Sequence, residues 1–322
     1  MQKERLTKGH FLVIGRAGID LYADPPGTTI EEARAFFPAL GGSAANIASA
    51  ITRLGRKASL ITTVSDDAVG RYVIGQLKHY SVATDYIRFV KGEERTSLAV
   101  VETRAENCQS VLYRNNAADF ELSSKDVNSI DYQYAAALIV TGTSFAVEPS
   151  RSASFEALTL ARAAGCPVII DIDYRPYSWT SRAEAAKLCG EAAAQADILV
   201  GNDEEFAVLA GEADGLSYAR SCAEKSGSII VYKRGEKGLI AFAEGEAIEL
   251  GIYPVTTLKP TGAGDAFMGG FVTSLAEGLS IRQSLQCGAA SAALVVTRVG
   301  CSPANPTRED LQSFMATHHI NK

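Results

Sequence analysis

Histidine is scarce in this chain: His10, His79, His318 and His319 are the only four in 322 residues. That scarcity argues against a histidine-built metal site and against a Ser-His-Asp triad, both of which need imidazoles gathered at one point. The cysteines Cys108, Cys166, Cys189, Cys222, Cys287 and Cys301 are scattered, with no C-x-x-C pair. They read as small buried hydrophobes of a reducing cytoplasm, not as zinc ligands or a redox couple. No apolar run reaches the ~18 residues of a membrane span. The opening "MQKERLTKGHFLVIG" also lacks the apolar segment of a signal peptide, so a cytoplasmic protein with no membrane partner is expected. Basic charge is not in excess: 31 Lys and Arg stand against 37 Asp and Glu, a net −6, which argues against nucleic acid as a partner. The G-x-x-x-x-G-K-[ST] sequence is absent too, which excludes a P-loop NTPase.

What remains is an ordinary globular composition, 47% hydrophobic and 21% charged. Short β-rich runs, "FLVIG" (11–15), "ASLITTV" (58–64), "AALIVTG" (136–142), "PVIIDID" (167–173), "ADILVGN" (196–202) and "SIIVYKRG" (228–235), read as buried strands. Ala-rich stretches at 43–55, 154–165 and 184–195 read as the helices between them. Repeated strand–helix units predict an α/β fold with a parallel sheet covered on both faces. Two segments break the rhythm, at about 16–40 and 83–120. The second alternates like exposed strands ("DYIRFV", "TSLAVVET", "SVLYRNN"), and together the two predict a small antiparallel sheet serving as a lid or a dimer surface.

Two glycine-rich stretches open helices. "KPTGAGDAFMGGF" (259–271) sets Gly262, Ala263 and Gly264 before Asp265. A helix N-terminus presents free N–H groups and partial positive charge, and small residues let an anion approach the backbone. An aspartate there would repel that anion, so its presence points to a need for a base. "GGSAANIASAITRLG" (41–55) sets Gly41 and Gly42 before a helix carrying Asn46, for which Ser43 as a helix cap is the plain structural reading. In "GNDEEF" (201–206), Asn202 and Glu205 have capping-box spacing. In "KRGEKG" (233–238), Gly235 and Gly238 suit a hairpin turn beside Lys233. The small residues of "CGAASAALVVTRVG" (287–300) suit helix packing.

The two glycine-rich stretches, in this order and over two hundred residues apart, resemble the paired signatures of the PfkB (ribokinase-like) carbohydrate kinases. The resemblance extends over nearly the whole chain. It implies one domain over 1–322, a ribokinase-like three-layer sandwich with a mostly parallel central sheet and a small antiparallel β lid. It implies ATP with Mg²⁺ as cofactors and a homodimer formed through the lid. The backbone of Gly262, Ala263 and Gly264 would form an anion hole for the transferring phosphoryl group, and Asp265 would take the proton of the sugar hydroxyl. Gly41, Gly42 and Asn46 would face the sugar, and Asp20 would hold its hydroxyls. Asn202 and Glu205 would position Mg²⁺ through water, with no direct protein ligand. Lys233, Gly235 and Gly238 would lie beside the nucleotide phosphates, with the 287–300 stretch flanking the adenine as the alternative to plain packing.

The sugar is suggested by arginines. Arg16 in "GRAGIDLY", Arg114 in "YRNNAADFEL" and Arg175 in "DIDYRPYSW" are expected to converge on a carboxylate, which matches the planar guanidinium fork. The last stretch resembles the D-x-N-x-R-x-x-x-W pattern of kinases acting on keto-deoxy sugar acids, with Asp173 in place of the asparagine. Together with "GCSPANPT" (300–307), these stretches are most similar to the members that phosphorylate such an acid at its 6-hydroxyl. Kinases of 2-keto-3-deoxygluconate or fructose stay open, as does an inactive sugar-acid sensor. Many relatives hold a potassium ion with an acidic residue six positions before the catalytic aspartate. Here that position is Lys259, expected either to place its charge near the phosphoryl group or to swing into solvent, and in both cases with little stimulation by K⁺.

Overall fold

Alternation along the first core strand explains the layering. Phe11 and Val13 face one hydrophobic core and Leu12 and Ile14 the other, and every one of them is buried. Such a strand is covered on both sides, as a parallel sheet requires. The computed structural model describes residues 3–211 and 213–321, so residues 1, 2, 212 and 322 of the expected 1–322 domain lie outside the described residues.

The chain runs α1 (Lys3–Leu6), β1 (His10–Ile14), β2 (Gly18–Asp24), β3 (Ala35–Gly41), α2 (Ser43–Arg53), β4 (Ala58–Ser65), α3 (Ala68–His79) and β5 (Ile87–Val90). It continues through β6 (Leu98–Val101), β7 (Ser110–Tyr113), α4 (Ser124–Asn128), β8 (Ala135–Thr141), α5 (Ser150–Ala163), β9 (Val168–Asp171), α6 (Arg182–Ala193) and β10 (Ile198–Asn202). It ends with α7 (Asp203–Ala210), α8 (Gly215–Ser226), β11 (Ile229–Lys233), β12 (Leu239–Ala243), β13 (Glu246–Leu250), α9 (Ala263–Ala276), α10 (Ile281–Val296) and α11 (Arg308–Thr317).

Nine strands form the main sheet in the order β13-β12-β11-β10-β9-β8-β1-β4-β5. All neighbours pair in parallel except β11–β12 and β12–β13 at one edge. On one face, α2, α3 and α9 bury Ile47, Ile51, Val73, Leu77 and Phe271; on the other, α5, α6 and α7 bury Leu158, Leu188 and Phe206. The six strands read from sequence all belong to this sheet, as does "DYIRFV". That last stretch is a correction to the expected lid: β5 adds in parallel to β4 as an edge strand, since Val90 packs inward while Arg88 and Phe89 stay exposed.

The small sheet has the order β3-β2-β6-β7. Its two pairs, β2–β3 and β6–β7, are antiparallel, and β2–β6 joins them in parallel. One face packs Tyr22, Ala39, Ala99 and Val101 against Cys301; Phe36, Phe37, Val111 and Tyr113 are exposed. No helix among the described residues is long and apolar enough to cross a membrane.

Candidate active site

The carboxyl ends of β1, β9, β10 and β11 deliver Arg16, the 171–175 segment, Asn202 and Lys233 to one edge of the main sheet, the edge where open α/β sheets collect ligands. Two helices, α2 and α9, start at that edge in the same unusual way. Each has a glycine N-cap with positive φ, Gly42 at +98° and Gly262 at +87°, and neither has a side-chain cap. An L side chain is strained at such a φ, and here it would also collide. A Cβ on Gly262 would fall 2.6 Å from Cys301 Sγ, and one on Gly42 2.3 Å from the Arg16 carbonyl oxygen. The expected cap, Ser43, is the first residue of α2 and donates instead to Asp173 Oδ2 at 2.7 Å. Capping of α2 by Ser43 is therefore corrected.

Asp265 lies in the first turn of α9 and does not cap it. Its Oδ2 accepts from Asn46 Nδ2 at 2.8 Å, joining the two glycine-led helices. Asn46 Oδ1 accepts from Ser302 at 2.7 Å and its carbonyl from Asn305 Nδ2 at 3.2 Å, so its amide is oriented with the NH₂ toward Asp265. Burial, and then the negative charge of Asp173, raise the Asp265 carboxyl to about 7. Asn46, Arg175 and Lys233 oppose that rise. The Nζ of Lys233 lies 3.3 Å from where a Cβ on Gly264 would stand, placing an ammonium over the 262–264 turn.

Asp20 is buried. Desolvation raises its pKa, with Arg16 the strongest opposing influence. Tyr22 OH donates to its Oδ2 at 3.3 Å, while Oδ1 has no hydrogen-bond partner. Gly41 leaves this carboxylate its room: a Cβ there would fall 1.9 Å from Oδ1.

The three arginines are each engaged within the chain rather than standing as free forks. Arg16 Nη1 donates to Ser97 Oγ at 3.1 Å, and Nη2 lies 3.7 Å from Asp20. Arg114 is buried, binding Asp119 at 2.6 Å through Nη2 and lying over the Phe120 ring. Its Nη1 lies 3.5 Å from Ser178. Arg175 pairs with Asp173 at 2.9 Å, yet 46% of its side chain is exposed. Of the three it is the most available to a ligand.

Asn202 and Glu205 form a complete capping box on α7, with the two reciprocal bonds at 2.8 and 2.7 Å. Glu205 is buried, and desolvation raises its pKa against the pull of Lys233 and Arg175. Gly235 (φ +57°) and Gly238 (φ +75°) make the β11–β12 turn, and a Cβ on Gly238 would strike the Leu250 carbonyl. The small residues of 287–300 pack α10 on α9: a Cβ on Gly288 would fall 2.9 Å from Phe267.

Sequence reading missed Asp171, whose pKa burial pushes up beside Lys233 and Glu205. It also missed Asp173 as a hub bonding Ser43 and Arg175, and Ser302 and Asn305 as the holders of Asn46. The "GCSPANPT" stretch drew notice, but its partners lie more than 250 positions away.

This arrangement offers an open, positively polarised helix end beside an ammonium, with a carboxylate poised to take a proton. A family model described as pfkB family carbohydrate kinase matches residues 8–308. The 5-dehydro-2-deoxygluconokinase 1 of Bacillus cereus is 38% identical over 316 residues, covering 95% of this chain and 94% of that one. The 5-dehydro-2-deoxygluconokinase of Photobacterium profundum is 37% identical over 312 residues, with 95% and 94% covered. Among solved structures, a double-mutant fructokinase from Vibrio cholerae, in its fructose, ADP and potassium ion bound form, aligns with a TM-score of 0.86. It is 25% identical, and the alignment covers 96% of this chain and 98% of that one. The chain belongs to the pfkB family of carbohydrate kinases.

Proposed function

We propose that this chain is an ATP-dependent kinase that phosphorylates the 6-hydroxyl of 5-dehydro-2-deoxy-D-gluconate, a step of myo-inositol catabolism, within one kinase domain. The observation that carries the chemistry is Asp265, held by Asn46 inside the first turn of a helix whose N-terminus has no side-chain cap. In this reading Asp265 removes the hydroxyl proton as the new O–P bond forms. The N–H groups of Gly262, Ala263 and Gly264 stabilise charge on the transferring phosphoryl group, aided by Lys233. A carboxylate raised to about 7 is well placed for such a base, being largely ionised above neutrality while still basic.

On the substrate side, Asp20 accepts sugar hydroxyls through Oδ1, which has no hydrogen bond and faces Arg16 Nη2 at 3.7 Å, and Gly41 and Gly42 allow close approach. Arg175 meets the sugar-acid carboxylate from the open side of the cleft, with Arg16 contributing its remaining donors. Arg114 serves less as a direct ligand than as a brace, holding the 173–178 segment through Ser178. With ATP, Mg²⁺ would supply charge neutralisation on the phosphates, and Glu205, with Asn202, would hold it through water rather than as a direct ligand. Gly235 and Gly238 shape the turn beside the phosphates.

The substrate assignment draws its support from the 38% identical relative together with the half-exposed Arg175. It is tested by ADP release with 5-dehydro-2-deoxygluconate, 2-keto-3-deoxygluconate and fructose, each with Mg²⁺–ATP. The highest kcat/KM should fall to the first. Preference for fructose would overturn the sugar-acid reading, and silence with all three would favour the sensor.

A further inference from the structure

Lys259 is fully buried, which is rare for lysine, and this removes the expected alternative of a solvent-exposed side chain. Its Nζ donates to the Thr261 carbonyl at 2.5 Å. Among the described residues no carboxylate pairs with it directly, although Asp265 and Asp20 both act on it through space, as do Cys301 and Cys108. Burial lowers its pKa, and those surrounding groups oppose the fall. A buried ammonium without a paired carboxylate is costly unless its charge has work to do.

Its position indicates what that work is. Thr261 is the residue before Gly262, and the peptide joining them is planar, with its C=O and N–H pointing in opposite directions. Holding the Thr261 carbonyl from below therefore fixes the direction of the Gly262 N–H. Gly262 has φ +87° and its own carbonyl accepts from Ala266 at 3.1 Å, so the turn is pinned on both sides of the glycine. Cys301, packed against Gly262 and bonded to Tyr22 OH at 3.1 Å, closes the remaining side.

We propose that the Lys259 ammonium is an internal cation of the phosphoryl site, fixing the 261–264 turn and offsetting the charge of Asp20 and Asp265 without a bound monovalent ion. It is a positioning residue, and the proposal rests on the kinase reading above.

Three arms test it. The unaltered protein is assayed with Mg²⁺–ATP in sodium, potassium and tetramethylammonium salts at matched ionic strength, and its kcat should stay within about twofold, since fixed charge replaces the exchangeable ion. Lys259→Met, checked for fold by circular dichroism and melting, should lose roughly 10²-fold in kcat. Ammonium, methylammonium or potassium should restore a good part of that loss, while tetramethylammonium, too large for the vacated space, should not. If the Met variant melts below assay temperature, Lys259→Gln carries the same series, keeping a donor on a chain one atom shorter while losing the charge. The third arm needs no turnover. Calorimetry of ATP against ADP should give Lys259→Met a preference for ATP about tenfold weaker than the parent's. A protein inactive on every sugar would count against the kinase reading and leave this arm to decide the lysine. Several-fold activation of the unaltered protein by K⁺ would overturn the proposal. So would near-parent kcat in a folded variant, loss that no small cation restores, or an unchanged ATP preference.

Discussion

Helices α7 and α9 both begin at the carboxyl edge of the sheet, and they treat their N-termini in opposite ways. α7 satisfies itself: Asn202 and Glu205 exchange side-chain and backbone hydrogen bonds across its first turn. α9 starts on left-handed Gly262 with no side-chain cap, and its first-turn acid, Asp265, turns away to Asn46 of α2. The other glycine-led helix is α2 itself; α3, α6, α8, α10 and α11 carry a capping side chain, and α5, uncapped at Pro149, has its Ser152 N–H bonded to Glu148. A capped end has its first-turn N–H groups already satisfied. An uncapped end keeps its N–H groups for an incoming anion, and the two glycine-led ends meet at one carboxylate.

If that contrast is functional, damage at the two ends should differ in kind. Asp265→Asn should keep the fold and ATP binding while kcat falls by roughly 10²–10⁴, the usual range for removal of a general base. Steady-state kinetics on a variant with a native circular dichroism spectrum checks this, and near-normal kcat would break the comparison. Arg175→Met comes next in size. A charged hydrogen bond contributes roughly 1.5–3 kcal/mol, and half-exposure places this one at the lower end, so KM for the sugar acid should rise about tenfold with ATP affinity unchanged. Unaltered kcat/KM would remove Arg175 from the substrate site.

At α7 the effect should be mainly one of stability. Asn202→Ala removes a cap and should cost about 1 kcal/mol in denaturant unfolding. A far larger fall in kcat than in stability would show that the water-mediated role of Asn202 toward Mg²⁺ outweighs its role as a cap. The smallest effect concerns heat. Asp265 titrates near 7 in the folded chain against an ordinary value of 3.8, so the folded state holds the proton through that window. Stability contributed by this group therefore falls as pH rises from about 4 to 7. Asp265→Asn removes that penalty and should raise Tm by a few degrees, with a larger gain at pH 8 than at pH 5. An equal gain at both would contradict the raised carboxyl.

The sheet was legible because its strands are nearly continuous apolar runs separated by Ala-rich helices, a pattern with a direct physical cause. "DYIRFV" misled because an edge strand is half exposed and so reads like a lid strand. The site was legible where function shows as local sequence: Gly262–Asp265 and Gly41–Asn46 each announce a helix end of small residues. Pairings set by tertiary contact were not legible. Nothing near Arg114 in sequence says that Asp119 occupies its fork rather than a ligand, although the two are five residues apart. Nothing near Lys259 says that it is buried, because its burial depends on residues such as Cys301, over forty positions away.

The central claim is that Asp265, held near neutrality by burial and by Asp173, is the base at the open end of α9. The pH dependence of kcat/KM for the sugar acid, at saturating Mg²⁺–ATP, tests it most directly. Because the base acts in its ionised form, kcat/KM should rise about tenfold per pH unit from pH 5 and level off above about 7. A profile that is flat from pH 5 to 8, in a protein that stays folded across that range, would contradict the account.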